Sequence, residues 1–156
     1  MGFGTIAASI IMFIAVLTLS ASMFVVMKND INEQSSALRE QTKYTSNNIK
    51  TDITIENLDY DNKTNTTTIN LRNTGKTKLY LKYSDVYINY DFIPRNTSNR
   101  TIQIDPSTDF RNTGIWDPDE IVEINVFKDL ETGEYTAKIT VQYGVSEEDI
   151  FSVSYG

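Results

Sequence analysis

The 156-residue chain contains no cysteine and no histidine. Without them it can form no disulfide, no zinc site with Cys or His ligands, and no catalytic group that depends on a thiol or an imidazole. Basic residues are also few, because 14 Lys and Arg stand against 21 Asp and Glu, for a net charge of −7. Affinity for nucleic acid comes mainly from basic side chains that neutralise phosphates, so this balance argues against a DNA or RNA partner.

Glycine and proline are scarce, with seven and three copies, and the glycines after residue 4 are isolated. No glycine-rich loop is therefore present to bind a phosphate group. Acidic residues cluster in two short runs, 117–120 and 147–149, where we predict turns. Turn carboxylates usually cap backbone groups or lie in water. Calcium, which takes oxygen ligands, is the alternative, although neither run has EF-hand spacing. We therefore predict no catalytic, cofactor-binding or metal-binding residues, no cofactor and no enzyme activity.

Residues 1–27 contain no charged side chain and consist mainly of Ile, Ala, Val, Phe, Leu and Met. About 20 apolar residues, at 1.5 Å each in a helix, cross a hydrocarbon core of roughly 30 Å. The segment therefore predicts a single-pass transmembrane helix. No Lys or Arg precedes it, as one would in a secretory signal peptide, so we expect a retained anchor; cleavage near residues 20–22 is the alternative. The basic residues that follow would alone place the carboxyl side in the cytoplasm, but a long domain weakens this rule.

Residues 28–50 are polar, lack Gly and Pro, and carry many helix-compatible side chains. We predict a helical connector that continues the membrane helix, because the heptad positions Ile31 and Leu38 are too few for a coiled coil. A continuous helix up to residue 48 would be about 70 Å long. The connector would therefore hold the remaining residues, 51–156, away from the bilayer.

From Thr51 onward, apolar residues alternate with polar ones, as they do in strands with one buried face. The alternating runs are 53–56, 69–72, 79–83, 86–90, 122–126, 135–143 and 151–155, and 102–104 adds an eighth candidate. Turn-forming residues separate the runs. Seven or eight short strands without helices between them predict an all-β, immunoglobulin-like antiparallel β-sandwich over 51–156. A β-barrel is the alternative, and Trp116 is the candidate central aromatic of the core.

Two surface features bear on partners and location. Residues 107–156 carry three basic and eleven acidic side chains, which would either steer a basic partner or keep the domain soluble. Four Asn-X-Ser/Thr sequons, at Asn62, Asn65, Asn96 and Asn99, fall in or beside predicted loops. Because such sequons are glycosylated outside the cytoplasm, this placement favours an external domain.

Several motifs resemble those of a known family. The opening Gly2-Phe3-Gly4 and the apolar run 10–15 resemble the mature amino terminus of archaellins and their accessory proteins. In the distal domain, L-R-N-T-G at 71–75, W-D-P-D-E at 116–120, G-E-Y-T at 133–136 and F-S-V at 151–153 resemble elements of the archaellum accessory family FlaF/FlaG, or ArlF/ArlG. Asp119 stands where that pattern usually has Gly. The opening resembles the FlaF branch more than the FlaG branch.

The resemblance implies a structural, stator-like component of the archaeal motility motor. Its sandwich domain would lie between the cytoplasmic membrane and the surface layer, bind the surface-layer protein, and contact itself or a paralogous accessory protein as a homodimer or homo-oligomer. Archaellins and pilins carry a basic leader that is cleaved before such a helix. None precedes this one, so we expect an anchored accessory protein. A pilin-like or archaellin-like filament subunit and an anchored calcium- or glycan-binding adhesin are the alternatives.

Overall fold

The computed structural model describes residues 3–155 and begins with one 48-residue helix, α1 (Phe3–Lys50). No Pro interrupts it, and no Gly follows Gly4 within it, so its backbone hydrogen bonds continue without a break. The helix is long and apolar enough to cross a membrane, and its large side chains, such as Met12 and Leu19, are exposed. Residues 1 and 2 of the predicted transmembrane segment lie outside the described residues, as does residue 156.

Hydroxyl groups inside the apolar part of α1 bond to the helix itself. Thr18 Oγ1 donates to the carbonyl of Ile14 at 3.0 Å, and Ser20 Oγ donates to the carbonyl of Val16 at 2.8 Å. Ser22 Oγ donates in the same way to Thr18, at 3.0 Å. Because a lipid core offers no other partner for a polar atom, these internal bonds suit a helix that spans a membrane.

The chain divides into two compact units between Lys43 and Tyr44. The last two turns of α1 therefore pack with the β-domain, several residues before the predicted domain start at 51. We call residues 44–155 the sandwich unit.

Eight strands form two antiparallel sheets in the sandwich unit. They are β1 (Thr54–Asp61), β2 (Thr66–Arg72), β3 (Asp85–Ile88), β4 (Asp91–Ile93), β5 (Arg100–Ile104), β6 (Ile121–Phe127), β7 (Gly133–Thr140) and β8 (Ser146–Val153). The first sheet has the order β1-β2-β6-β5 and the second β4-β3-β7-β8. Lettered in chain order A, B, C, C′, D, E, F and G, these sheets read A-B-E-D and C′-C-F-G, which is the immunoglobulin arrangement with one added strand. The predicted immunoglobulin-like sandwich is therefore confirmed, and the barrel alternative is wrong.

The core lies between the sheets and contains the apolar side chains of the alternating runs. Ile69 of β2 is paired with Ile124 of β6, and Val86 of β3 is paired with Ile139 of β7. All four side chains are at most 1% exposed. Trp116 is also 1% exposed and belongs to the same core, as predicted.

A tyrosine corner fixes the start of β7. The hydroxyl of Tyr135 donates to the carbonyl of Glu131, four residues upstream, at 3.1 Å. This bond occurs at the same position, the start of strand F, in immunoglobulin-like sandwiches. The bond explains the tyrosine of the G-E-Y-T motif, because the Tyr135 hydroxyl ties the loop before β7 to the strand.

The prediction of a strand over 79–83 is wrong. Leu79 forms only an isolated bridge with Trp116, and Leu81–Tyr83 form a 3₁₀ helix. The Lys82 ammonium lies 4.8 Å from the centre of the Tyr83 ring. Alternation of apolar residues therefore does not make a strand here. The backbone N–H groups of Tyr83 and Ser84 bond to the carbonyls of Tyr80 and Leu81, and these local bonds, with the cation–π contact, favour a turn.

Two other predicted strands are longer than the observed ones, because residues with positive φ end them. Asn89 and Tyr90 have φ of 49° and 67° and form the two-residue hairpin turn that begins β4, a strand absent from the predictions. Tyr143, at φ 68°, likewise lies beyond the end of β7. Such conformations are incompatible with a continuing strand.

Candidate functional site

Neither acidic run forms a metal site among the described residues, where no group of three or more Asp, Glu, Cys or His side chains could hold an ion. The prediction of a turn at 147–149 is wrong, because this run lies on β8, an edge strand. Charged side chains are common on edge strands since they discourage pairing with another sheet. The run 117–120 forms the predicted turn, but Asp117 and Glu120 are buried within it.

The buried carboxylate of Asp117 links the loop between β5 and β6 to the loop between β2 and β3. Its Oδ2 accepts from the backbone N–H of Asn112 at 3.2 Å and from Asn112 Nδ2 at 2.6 Å. Its Oδ1 lies 3.3 Å from the Lys78 ammonium. Burial by itself would raise the pKa of this carboxyl, but the hydrogen bonds from Asn112 and the charge of Lys78 hold its pKa below the ordinary value. The Asp117 carboxylate is therefore charged, and both of its oxygens already have partners within the protein.

The N-T-G loop at 73–75 connects to the same turn. Asn73 is fully buried, and its Nδ2 donates to the carbonyls of Thr77 at 2.8 Å and Trp116 at 3.3 Å. The Asn73 carbonyl accepts from the backbone N–H of Asp119 at 2.8 Å. Asp119 has φ 71°, a left-handed conformation that favours glycine. This explains why the family pattern usually has Gly at that position.

Gly75 brings this loop against the end of α1. Its N–H donates to the carbonyl of Asp52 at 3.0 Å, and the next N–H, from Lys76, donates to the carbonyl of Lys50 at 2.7 Å. A Cβ on Gly75 would lie 2.7 Å from the Lys50 carbonyl oxygen and closer still to the Asp52 nitrogen. Only glycine therefore allows this approach between two backbone segments.

A second loop holds the last turns of α1 through Tyr143. Asn48 Nδ2 donates to the Tyr143 carbonyl at 2.8 Å, and the Tyr44 and Tyr143 rings pack edge to face with centres 5.8 Å apart. At the helix end, Thr51 Oγ1 donates to the Asn47 carbonyl at 2.7 Å. We call residues 44–52, with the loops 73–77 and 142–144, the joint. It attaches the end of the helix to the sandwich by two loops distant in sequence.

The sheet edges are the other candidate contact surfaces. β1 and β5 are the edges of the first sheet, and β4 and β8 are the edges of the second. Phe92 on β4 is 49% exposed, and Ile150 on β8 is 59% exposed. Edge strands have unpaired backbone N–H and C=O groups, to which a strand of another protein can bond.

The sequence predicted a turn at 73–75, but it assigned residues 142 and 143 to a strand and did not predict the joint. Asn73 and Gly75 belong to the N-T-G motif, and the isolated glycine two residues after Asn is the available signal. No local signal connects Asn48 with Tyr143, which are 95 residues apart.

In sequence, the chain matches the archaeal-type flagellin family over residues 2–151. No curated protein matches it significantly. In structure, it is similar to the archaellum periplasmic stator protein FlaG from Sulfolobus acidocaldarius, with 22% identity and a TM-score of 0.52, over 65% of this chain and 99% of that one.

The archaeal flagellum of Methanospirillum hungatei strain JF1 is similar over more of the chain. The identity is 14% and the TM-score 0.66, over 96% of this chain and 94% of that one. The FlaF and FlaG complex from Sulfolobus acidocaldarius matches at 22% identity with a TM-score of 0.49, over 64% of this chain and 87% of that one. The first two likenesses support the sandwich fold, and the second also extends over α1.

Proposed function

The chain belongs to the archaeal-type flagellin family, and on that basis we propose that it is a membrane-anchored, stator-like component of the archaeal motility motor. The resemblance to archaellum proteins is thus confirmed, but the matches do not distinguish the FlaF branch from the FlaG branch. The proteins to which the chain is similar are structural components of the archaellum and not enzymes.

The joint is the observation that carries this proposal. A stator resists force, so its outer domain must be attached firmly to its membrane anchor. In the joint, the Lys50 carbonyl at the end of α1 accepts from the backbone N–H of Lys76, and Asn48 Nδ2 donates to the carbonyl of Tyr143. A flexible linker, rich in Gly or Ser, would transmit force poorly, and none separates α1 from β1.

In this proposal, residues 1–27 span the cytoplasmic membrane, residues 28–50 form the connector, and the sandwich lies in the extracytoplasmic space. The 48 residues of α1 are about 72 Å long, and a hydrocarbon core takes up roughly 30 Å. The rest of α1 and the sandwich would then lie outside the membrane, where the sandwich would bind the surface-layer protein. The exposed strands β4 and β8 would allow contact with a second copy or a paralogous accessory protein.

A deletion strain tests the motor function. We expect loss of swimming, rescue by the full chain, and no rescue by a chain truncated before Thr51. Normal swimming in the deletion strain would overturn the proposal. Because the chain has no cysteine, a Ser107→Cys variant tests location separately: a membrane-impermeant maleimide should label it on intact cells. Labelling only after lysis would place the sandwich in the cytoplasm.

A filament subunit is the second candidate function. The likeness to the Methanospirillum hungatei flagellum, which covers 96% of this chain, favours it. The exposed apolar side chains of α1 would then pack in the core of a filament instead of in lipid. Recovery of the protein in filaments sheared from cells, with cleavage near Gly2, would support this candidate. Recovery in the membrane fraction would support the anchored stator. Nothing among the described residues favours the calcium- or glycan-binding adhesin.

A further inference from the structure

Arg100, on the edge strand β5, is buried without a complete set of partners. The residue is only 4% exposed. Its Nη2 donates to the carbonyl of Ser84, just before β3, at 2.8 Å, so the side chain bridges the two sheets. Its Nη1 is buried and has no hydrogen-bond acceptor. Arg100 also forms no ion pair with a carboxylate of the described residues, and burial lowers the pKa of its guanidinium from the ordinary value. A buried charge of this kind is costly unless it is paired.

Arg100 lines a cavity of about 340 Å³ that also contains the side chains of Lys82, Arg95 and Thr97. Asp85 already neutralises Arg95, with its Oδ1 2.7 Å from Arg95 Nη2. The charge of Asp85 also acts on Arg100, and the Lys82 ammonium lies over the Tyr83 ring. The residues that line the cavity nevertheless include three cationic side chains and no carboxylate, in a protein whose net charge is −7. Such a local excess of positive charge attracts anions.

We propose that this cavity binds a carboxylate side chain from an acidic segment of a partner protein, with Arg100 Nη1 as its buried donor. A guanidinium binds a carboxylate strongly because the hydrogen bond is charge-assisted. One buried and unpaired positive charge calls for one negative charge, which a carboxylate supplies. The half-buried side chains of Leu81 and Ile102 also line the cavity. They would contact the methylene stem of a Glu or Asp side chain, whereas inorganic phosphate has no such stem. The inference does not depend on the motor function.

The binding test uses the full chain in non-ionic detergent at about 0.15 M salt, where long-range attraction between exposed charges is screened. The probe is N-acetyl-glutamate amide, observed by saturation-transfer NMR. We expect saturable binding in which the side-chain methylenes receive more saturation than the acetyl methyl group. Absence of saturable binding would overturn the proposal. Displacement by inorganic phosphate at a lower concentration than by acetate would also overturn it, in favour of a site for small inorganic anions.

Two variants and a matched control locate the binding. Arg100→Gln should weaken the affinity by at least about tenfold, because a charged donor is lost. If that variant does not fold, Thr97→Asp provides the second test, because Thr97 is exposed and lines the cavity. We expect the added negative charge to reduce binding several-fold. Ser98→Asp introduces the same charge on the next residue, which does not line the cavity, and should change the affinity less than twofold. Equal effects of the two Asp substitutions would contradict the site.

Discussion

Replacing Gly75 by Ala tests how tightly the joint is packed. The new Cβ would lie 2.7 Å from the carbonyl oxygen of Lys50, about 1 Å inside the normal packing distance. That oxygen already accepts a hydrogen bond from Lys76 at 2.7 Å. The three nearest atoms to the new methyl group belong to the backbone of Lys50, Thr51 and Asp52, so none can turn away as a flexible side chain would. The loop must therefore move away from the end of α1.

The expected loss of stability is about 2–4 kcal/mol. Overpacking that shifts a backbone typically costs about 1–3 kcal/mol. Loss of one hydrogen bond between the loop and the helix end adds about 0.5–1.5 kcal/mol. Because an ordinary domain is stable by only about 5–15 kcal/mol, this change would be large.

Urea unfolding of the full chain in detergent measures the change. The protein has one tryptophan, and Trp116 is buried next to the joint, where its carbonyl binds Asn73, so its fluorescence reports unfolding. The control is Gly133→Ala, whose Cβ would lie 3.7 Å from the Tyr135 ring, an ordinary contact. It should change the free energy of unfolding by less than about 0.5 kcal/mol. Equal losses in both variants would show that the approach at Gly75 is not tight.

Three further predictions concern the core, acid and alkali. Ile139→Asp should lower the free energy of unfolding in urea by more than about 4 kcal/mol, because it places an unpaired charge in a fully buried position. Lys138→Asp, on the other face of β7, should lower it by less than about 1 kcal/mol, and equal losses would mean that the register is wrong. Because the pKa of Asp117 is lowered, the stability that its carboxylate contributes should be present at neutral pH and disappear as the pH falls below about 4. Asp117→Asn should lower the free energy of unfolding by about 1–3 kcal/mol at pH 7 and weaken its dependence on pH in acid; an unchanged dependence would contradict the role of the carboxylate. A hydrogen bond with the hydroxyl of Tyr60 raises the pKa of Tyr155 to about 12, so the free energy of unfolding should fall between about pH 10 and pH 12. In a titration followed by absorbance at 295 nm, the step at the highest pH should be missing from Tyr155→Phe.

Sequence alternation predicts the central strands well and the edges poorly. β2 and β6 each have neighbours on both sides, so every second side chain enters the core and the pattern has a period of two. β4 has only three residues, too few for a period to be seen. The acidic run on β8 resembled a turn, because an edge strand exposes side chains that a central strand would bury.

The joint could not be predicted for a different reason. Its contacts connect residues far apart in sequence, and they depend on backbone atoms whose positions only the folded chain defines. The motif at 73–75 predicts a turn, and a turn is found there. The contact of Gly75 with the backbone of Lys50 and Asp52 depends in addition on where α1 ends. Turn propensity acts over a few residues, whereas the approach of two backbone segments is a property of the whole fold.

The buried charges of the sandwich unit indicate different roles for its two candidate sites. Asp117 receives two hydrogen bonds from Asn112 and lies beside Lys78. A buried charge with such partners stabilises one arrangement of its loops and has little capacity left for a ligand. Arg100 bonds to Ser84 through Nη2 but leaves Nη1 without an acceptor, so it can still accept a partner. A stator of the kind proposed would need a rigid domain, to which the joint and Asp117 both contribute, and a group that can still bind a partner. Substitutions in the joint should therefore reduce stability and motility together, whereas Thr97→Asp should reduce binding while the unfolding transition stays unchanged.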